Sequence, residues 1–576
     1  MYINNYRRKL DAVFLFFIIF LFFCIARLFF IQFFRSSYLK EIAKRQHNLF
    51  VELEPRRGTV FDANLKPQAL NISAESVFAS PNDIPDKEKE VIIRQLSTIL
   101  NVSPAYLRER LYRNKSFVWL SRKVTPGQGE EIRKLNAKGI GLMKESKRCY
   151  PNGYLSSQII GFAGLDNAGL EGIELYYNKY LKGQSGFAFF LRDARQKKLE
   201  LWEKMIFPQD GYDIVLTIDE VIQYIAEREL DKVFRIYRAK GASIVVIEPR
   251  TGAILALASR PTFDLNEYSR SDKDQMRNRA ICDLFEPGSA FKIVTLAAAL
   301  EEKKVVEEDR FFCENGEYRV ASHILHDHRP HGWLTFREVI EQSSNIGTTK
   351  VAQLLGSDLL YKYIKLFGFG EKLGIDLPGE ISGIVKPPRA WSKISIAAIP
   401  IGQEVGVTAL QLAAAVSVIA NGGQLMRPYI VKEIRDKYGE TIKNFSPLLI
   451  RKAISAETAL RAKKILSGVV QEGTGKLAKI EGFSAAGKTG TAQKLEPNGT
   501  YSHNKFMASF IGFAPAEEPV VTIVVIVDEP RPYYFGGVVA APVFKNVASD
   551  VIRYLKTKNA LSGAVALNEP TTYRTK

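Results

Sequence analysis

Three short polar motifs carry residue types that together could activate a serine and hold a carboxylate. The first, Ser289-Ala290-Phe291-Lys292, follows Pro287-Gly288 and opens a strongly apolar run. Residues three apart share a helix face, so a helix here places Lys292 beside the Ser289 hydroxyl. Burial lowers the pKa of a lysine, and a neutral amine can take a serine proton. The pattern predicts an acyl-accepting nucleophile at Ser289 with Lys292 as its base.

The second motif, Ser343-Ser344-Asn345, lies between two helical patterns, and Thr335 to Glu338 resembles a capping box that opens the first of them. A serine and an amide on such a connection could pass a proton and orient a substrate amide. We therefore assign catalytic roles to Ser343 and Asn345.

The third motif is Lys488-Thr489-Gly490-Thr491, within a predicted strand over 488–493. Glycine in a strand lets a ligand backbone approach closely. Lys488 supplies positive charge for a carboxylate, and the hydroxyls of Thr489 and Thr491 supply hydrogen-bond donors. Lys488, Thr489, Gly490 and Thr491 are the predicted substrate-binding residues.

The first two motifs also occur elsewhere in the chain. Ser37 to Lys40 and Ser502 to Lys505 repeat the serine–lysine spacing, but neither opens a long apolar helix. Ser502-His503-Asn504 repeats the second motif. The specificity therefore comes from the three motifs together, in this order along the chain.

Hydrophobic patterning predicts the elements that must position these motifs. A strand at 215–219 ends in a helix cap, a helix follows to about 237, and apolar helices continue through 420. Strands first, helices next and strands last indicate an α+β or α/β domain whose sheet is completed by both ends of the region. The other predicted elements are the hairpin strands 242–247 and 253–258, the late strands 506–513 and 520–527, and a helix over 543–555.

The N-terminal region contains one segment suited to a bilayer. Residues 12–34 are apolar except for Arg27 and Gln32 and would reach roughly 34 Å as a helix, enough to span a membrane. The bulky Phe33 and Phe34 at its end favour an uncleaved anchor over a signal peptide. Basic residues on both sides leave the orientation open. We expect a helical stalk over 36–56, then short strands that include 117–120 and 187–190.

Composition narrows the function classes. The chain has 576 residues, of which 46% are hydrophobic and 25% charged, with a formal net charge of +18. No run of five or six like charges supports a nucleic-acid tail, so we expect no nucleic-acid partner. The four cysteines match no zinc or redox spacing, and their pairing stays open. Four histidines, 323, 326, 328 and 331, could suggest a metal; we interpret this run as a polar loop near the second motif and expect no metal or cofactor.

The three motifs, in this order, resemble those of the penicillin-recognising serine enzymes. Further elements resemble one group of this superfamily, the class B penicillin-binding proteins. Arg57 to Asp62 resembles their R-G-x-I-x-D signature, and Gly169 to Glu174 their G-x-E-G-x-E element. Gly402-Gln403-Glu404, with Thr408 to Leu412, and Gly536 to Pro542 are similar to the cell-division branch, penicillin-binding protein 3.

The resemblance implies a transpeptidase domain with a five-stranded antiparallel sheet flanked by helices, plus a helical subdomain. It also implies an extracytoplasmic enzyme on the cytoplasmic membrane of a bacterium, at the division septum. The expected organisation is a cytoplasmic N-terminus at 1–11, a transmembrane anchor at 12–34, a stalk and elongated noncatalytic dimerisation-type pedestal at 35–215, the transpeptidase domain at 216–555 and a loose tail at 556–576.

The implied activity is D,D-transpeptidation of peptidoglycan stem peptides, inhibited by β-lactams that acylate Ser289. No glycosyltransferase segment is apparent, so we expect a polytopic membrane glycan polymerase and other division proteins as partners. Because the chain ends soon after the catalytic region, we expect it to lack the C-terminal repeat modules of sporulation-type relatives. The alternatives are an elongation-type transpeptidase, a D,D-carboxypeptidase or β-lactamase-like hydrolase and, outside enzymes, a β-lactam sensor.

Overall fold

The computed structural model describes residues 2–36, 38–39, 48–115, 117–192, 198–496 and 498–567. The chain divides into two units, the first formed by Met1–Arg56 with Gly183–Asp210 and the second by Arg57–Lys182 with Gly211–Lys576. The α-helices are Tyr2–Phe34, Asp86–Leu100, Pro104–Leu111, Pro126–Leu135, Ser157–Ile160, Gly172–Tyr176, Asn178–Leu181, Glu220–Ile236, Lys273–Met276, Arg279–Cys282, Lys292–Glu301, Phe336–Glu341, Asn345–Leu355, Ser357–Leu366, Ser395–Ala398, Ala409–Ala420, Ala456–Gln471, Gly536–Val539 and Ala541–Leu567.

The first unit contains the apolar N-terminal helix. Its segment Lys9–Phe34 has 26 residues and a mean hydropathy of 2.9, long and apolar enough to cross a membrane. The unit also has a three-stranded antiparallel sheet of Asn48–Leu53, Gly186–Arg192 and Lys198–Ile206. The helical stalk predicted over 36–56 is therefore wrong in its second half, where the strand-favouring Leu-Phe-Val run pairs with another strand. Residues 37 and 40–47 lie outside the described residues.

The second unit is built around the predicted five-stranded antiparallel sheet. Its order is Ile254–Arg260, Gly241–Ile247, Val521–Asp528, Tyr501–Ala514, Ala486–Leu495, so the strand with the third motif lies at one edge. The hairpin 241–260 pairs with the late strand Val521–Asp528, which confirms that both ends of the region complete one sheet.

Helices cover both faces of this sheet. Ala409–Ala420, which is buried along its whole length, and Lys292–Glu301 belong to the core on one face. Glu220–Ile236 and Ala541–Leu567 belong to the core on the other face. The last helix runs to Leu567, beyond the predicted end at 555, because Ala and Leu continue the helix-forming pattern.

A second, larger sheet joins strands from both sides of residue 215. Asp213–Leu216 pairs in parallel with Val60–Phe61 and antiparallel with Val431–Arg435. The sheet continues through Pro67–Ala79 and Val118–Val124, with Thr441–Asn444 at the far edge and Ile140–Cys149 paired to Pro67–Ala79. The remaining strand pairs are Arg310–Phe312 with Trp333–Thr335, Glu317–Val320 with His323–His326, and Gln424–Met426 with Leu449–Lys452.

Arg57, the first residue of the signature at 57–62, lies in a buried ion-pair network. Arg57 Nε and Arg148 Nε each donate to the Glu174 carboxylate at 2.6 Å. All three side chains are almost fully inaccessible, and Arg148 also donates to Gly58 O at 2.7 Å. The network ties the signatures at 57–62 and 169–174 to the strand Ile140–Cys149. The four cysteines are free thiols.

Replacing Glu174 with Gln should destabilise the chain by about 3–5 kcal/mol, because two guanidinium groups would stay buried without a counter-charge. Thermal and urea unfolding of the detergent-solubilised chain would measure this. As a control, Glu109→Gln removes one partner of an exposed pair with Arg113 and should change stability by less than about 1 kcal/mol. Equal effects of the two substitutions would contradict the role of the network.

Candidate active site

The first motif begins as a tight turn that leads into a buried helix. Gly288–Phe291 is a 3₁₀ turn, followed directly by Lys292–Glu301, and Ser289 is half-buried. Gly288 has a φ of +54°, and a Cβ there would lie 2.7 Å from Thr491 O. Only glycine fits this position without strain, so the turn can press the Ser289 segment against the third-motif strand.

Two buried lysines meet at the second motif. Lys292 Nζ donates to Ser343 O at 2.6 Å and to Asn345 Oδ1 at 2.8 Å, and lies 3.3 Å from Ser343 Oγ. Lys488 Nζ donates to the same Ser343 Oγ at 2.8 Å. Both lysines are fully buried. The structure thus brings together Lys292, Ser343, Asn345 and Lys488.

Burial changes the protonation of both lysines. It lowers the pKa of Lys292 from its ordinary value of 10.5 to about 7, although the negative charge of Asp327 opposes this shift. Burial, and then the charge of Lys292, lower the pKa of Lys488 well below its ordinary value. Two ammonium groups in one dry site repel each other, so the arrangement favours the loss of a proton from one of the two lysines.

The Ser289 hydroxyl is placed differently from the sequence prediction, in which it lies beside Lys292. Within the described ranges, no hydrogen bond joins Ser289 Oγ to Lys292 Nζ. The lysine hydrogen bonds are instead directed to the Ser343–Asn345 turn. Ser343 has a φ of +61°, which is unusual for a residue with a side chain and marks a strained position at the centre of the site.

The third motif lies on the edge strand Ala486–Leu495. Thr489 Oγ1 lies 2.9 Å from Thr474 Oγ1, and Thr491 Oγ1 accepts a hydrogen bond from Gly536 N–H at 3.0 Å. A Cβ on Gly490 would lie 2.2 Å from Ser509 Oγ and 2.8 Å from Pro287 O, so glycine is required there. The outer edge of this strand is a suitable place for an extended peptide to add.

The sequence motifs did not reveal two contributors to the site, Thr474 and Asp327. Thr474, which contacts Thr489, follows the helix Ala456–Gln471. Asp327 accepts hydrogen bonds from the turn Ser344–Ile346, and His326 O accepts one from Asn345 Nδ2 at 2.9 Å. The signal available for Asp327 was its place in the polar histidine run before the second motif.

The first part of the histidine run forms a strand of a β-hairpin, so the run is not entirely a loop. His323–His326 is a strand paired with Glu317–Val320, and the His328 ring lies 5.0 Å from the Phe535 ring. Among the described residues, no group of three or more His, Cys, Asp or Glu side chains is arranged to hold a metal. The repeated motif at 502–505 lies at the start of the strand Tyr501–Ala514, outside this cluster; Ser37 lies outside the described residues.

A cavity of about 770 Å³ adjoins the segment that leads to Ser289. Glu286 lines it and accepts hydrogen bonds from Glu404 N–H at 2.8 Å and from Tyr501 OH at 3.2 Å. Burial raises the pKa of Glu286. These contacts connect the Ser289 segment to the turn at 402–404 and to the strand next to the third motif.

The site combines a serine on a tight turn with a lysine that is hydrogen-bonded to a serine–asparagine turn. A lysine–threonine–glycine motif on an edge strand completes it. This combination defines a serine acyltransferase of the penicillin-recognising kind. Residues 242–549 match the penicillin binding protein transpeptidase domain, and residues 52–216 match the penicillin-binding protein dimerisation domain. The chain therefore belongs to the class B penicillin-binding proteins and is a serine-type peptidoglycan D,D-transpeptidase.

Known proteins agree with this assignment. The chain is 40% identical over 562 residues to stage V sporulation protein D of Bacillus subtilis, covering 96% of this chain and 86% of that one. It is 32% identical over 509 residues to peptidoglycan D,D-transpeptidase FtsI of Escherichia coli, covering 87% and 84%. The crystal structure of penicillin-binding protein 3 of Mycobacterium tuberculosis complexed with aztreonam matches with a TM-score of 0.69 at 27% identity, covering 88% and 97%.

The acylation rate should rise with pH through a midpoint near the Lys292 pKa of about 7. Below this pH, Lys292 is protonated and does not accept the Ser289 proton; above it, the neutral amine is present. The second-order rate constant for labelling by a fluorescent penicillin, measured between about pH 5 and 9, tests this. A flat profile across that range would contradict Lys292 as the base.

Proposed function

We propose that this chain cross-links stem peptides of septal peptidoglycan through an acyl-enzyme on Ser289. The observation that carries the mechanism is the meeting of Lys292 and Lys488 at Ser343. We assign residues 216–555 to the catalytic domain, residues 35–215 to a stalk and pedestal, and residues 12–34 to the membrane anchor.

In the acylation step, neutral Lys292 takes the proton of Ser289. The Ser289 oxygen bonds to the carbonyl carbon of the penultimate D-Ala of the donor stem peptide. The carbon–nitrogen bond to the terminal D-Ala then breaks, and Ser343 passes a proton to the departing nitrogen and takes back the proton held by Lys292, which lies 3.3 Å from Ser343 Oγ. The Lys292 bonds to Ser343 O and Asn345 Oδ1 support this role, because they occupy two N–H groups of a neutral amine and leave its lone pair for a proton.

Substrate binding uses the edge strand. Lys488, Thr489 and Thr491 bind the terminal carboxylate of the donor, while Gly490 permits close approach of its backbone. Asn345 orients the peptide amide. The backbone N–H groups of Ser289 and Thr491 stabilise the oxyanion, a proposal supported by the close packing of the Gly288 turn on Thr491, which leaves no room for a Cβ at residue 288.

In the second step, an amine from a neighbouring stem peptide attacks the ester carbonyl of the acyl-enzyme. A new amide bond forms and the bond between the carbonyl carbon and the Ser289 oxygen breaks. Ser289 regains the proton that the amine loses, through Lys292 or Ser343. A hydrolase would use water in place of this amine, and the anchor and pedestal favour cross-linking over hydrolysis.

The septal assignment rests on the elements at 402–412 and 536–542 and on similarity to peptidoglycan D,D-transpeptidase FtsI. We propose a catalytic domain outside the cytoplasmic membrane, with a polytopic glycan polymerase and other division proteins as partners. The similarity to stage V sporulation protein D favours a second candidate, a role in sporulation.

Fluorescent penicillin should label the wild-type protein on a gel, and Ser289→Ala should abolish labelling because the nucleophile is lost. Ser37→Ala, which alters the repeated serine–lysine spacing just after the anchor, should label like wild type. Labelling that survives Ser289→Ala would overturn the assignment of the nucleophile.

A donor–acceptor assay with a stem pentapeptide and an amine acceptor separates cross-linking from hydrolysis. We expect the dimeric cross-linked peptide and one released D-Ala per bond formed. Release of D-Ala with no cross-linked product, at saturating acceptor, would favour a carboxypeptidase instead.

A fluorescent fusion of the full chain should concentrate at the division site in growing cells, and depletion should give filaments that lack septa. Signal along the lateral wall with loss of cell shape on depletion would favour an elongation role. Signal confined to sporulating cells would favour the second candidate.

A further inference from the structure

The hairpin at 317–326 supplies groups that hold the second motif in place. His326 O accepts a hydrogen bond from Asn345 Nδ2 at 2.9 Å. The next residue, Asp327, is half-buried and turns its carboxylate toward the start of the helix Asn345–Leu355. The exposed hairpin is therefore followed directly by a residue that makes polar contacts with the Ser343–Asn345 turn.

Three donors of the turn converge on the Asp327 carboxylate. Oδ2 accepts from Ser344 Oγ at 2.6 Å, and Oδ1 accepts from Ile346 N–H at 3.1 Å and from Asn345 N–H. Ser344 Oγ in turn accepts from Gly347 N–H at 2.9 Å and caps the helix. An ionised carboxylate accepts all these bonds and donates none, and its charge suits a helix N-terminus.

The residue that this contact restrains is strained. Ser343, with its φ of +61°, precedes the capped helix directly, and it presents both its carbonyl oxygen and its hydroxyl to Lys292. Such a conformation persists only where the surrounding structure determines it. Here the hydrogen bonds from residues 344–346 to Asp327 restrain the turn on one side of Ser343. The helix Phe336–Glu341 restrains it on the other side.

We propose that Asp327 is a positioning residue, which fixes the Ser343–Asn345 turn and thereby sets the acceptors that orient Lys292. The inference rests on the proposed function of Lys292 as the base. Asp327 reaches the reacting atoms through the turn rather than by touching substrate.

Asp327 also contributes charge to the site. The titratable groups that face Lys292 are Asp327, the thiol of Cys313, whose pKa burial raises, and Lys488 from the edge strand. Asp327 favours the protonated lysine, so its neutralisation should lower the pKa of Lys292 and move the acid limb of the acylation profile to lower pH. A residue that only stabilised the fold would leave this midpoint unchanged.

The test compares Asp327→Asn with wild type in full-length, detergent-solubilised protein. We expect acylation by fluorescent penicillin to slow about ten- to a hundredfold, as displaced catalytic groups do, with the acid limb at lower pH. Glu317→Gln is the matched control, because it removes one negative charge from the same hairpin at an exposed side chain. It should acylate at the wild-type rate with an unchanged midpoint.

Asp327→Glu keeps the charge and displaces it by one methylene group, so we expect slower acylation with a midpoint near that of wild type. Asp327→Glu also tests the proposal if thermal unfolding shows that Asp327→Asn does not fold. Wild-type rates in either folded variant, or a loss of rate in Asp327→Asn with no shift of the midpoint, would overturn the proposal. Failure of wild-type labelling in the same series would instead count against the proposed function.

Discussion

The site depends on keeping two lysines out of water while they share one serine hydroxyl. A buried ammonium group is costly unless it is neutralised or well hydrogen-bonded, and a second positive charge nearby raises that cost. Lys292 and Lys488 are both fully buried, and their hydrogen bonds end on the Ser343–Asn345 turn and on Thr489. A reactive amine at neutral pH follows from this enclosure, since in water a lysine would be almost wholly protonated.

The fold provides the enclosure by bringing three distant segments into contact. The apolar helix Lys292–Glu301 lies in the core on one face of the five-stranded sheet, so the lysine at its first position starts from a buried backbone. Lys488 comes from the edge strand, and Ser343 from a connection between two helices. The glycines at 288 and 490 remove the side chains that would separate the serine turn from this strand.

Much of this could be predicted from sequence where the signals are local. Ser289 at the start of an apolar helix, the cap at Thr335 and the strands near 506–527 all depend on short patterns, and the structure confirms these elements. Asp327 was not predictable as a hydrogen-bond partner of the turn, because its position depends on how the preceding hairpin packs against the helix Asn345–Leu355. The positive φ of Ser343 and the direction of Lys292 toward it also arise from tertiary contacts. The stalk was mispredicted because a strand with a distant partner has no local signal of that pairing.

The seven-stranded sheet bears on how this protein can be divided for biochemistry. The matched dimerisation region ends at residue 216, yet its last strand, Asp213–Leu216, is hydrogen-bonded to Val431–Arg435. A recombinant fragment beginning after this residue would expose the backbone edge of Val431–Arg435, and the complementary fragment would expose the edge of Asp213–Leu216. Bare strand edges beside buried valine and isoleucine side chains recruit other chains. Soluble preparations should therefore keep residues 48–567 together, so that the strand Asn48–Leu53 stays paired with Gly186–Arg192, and should remove the membrane helix.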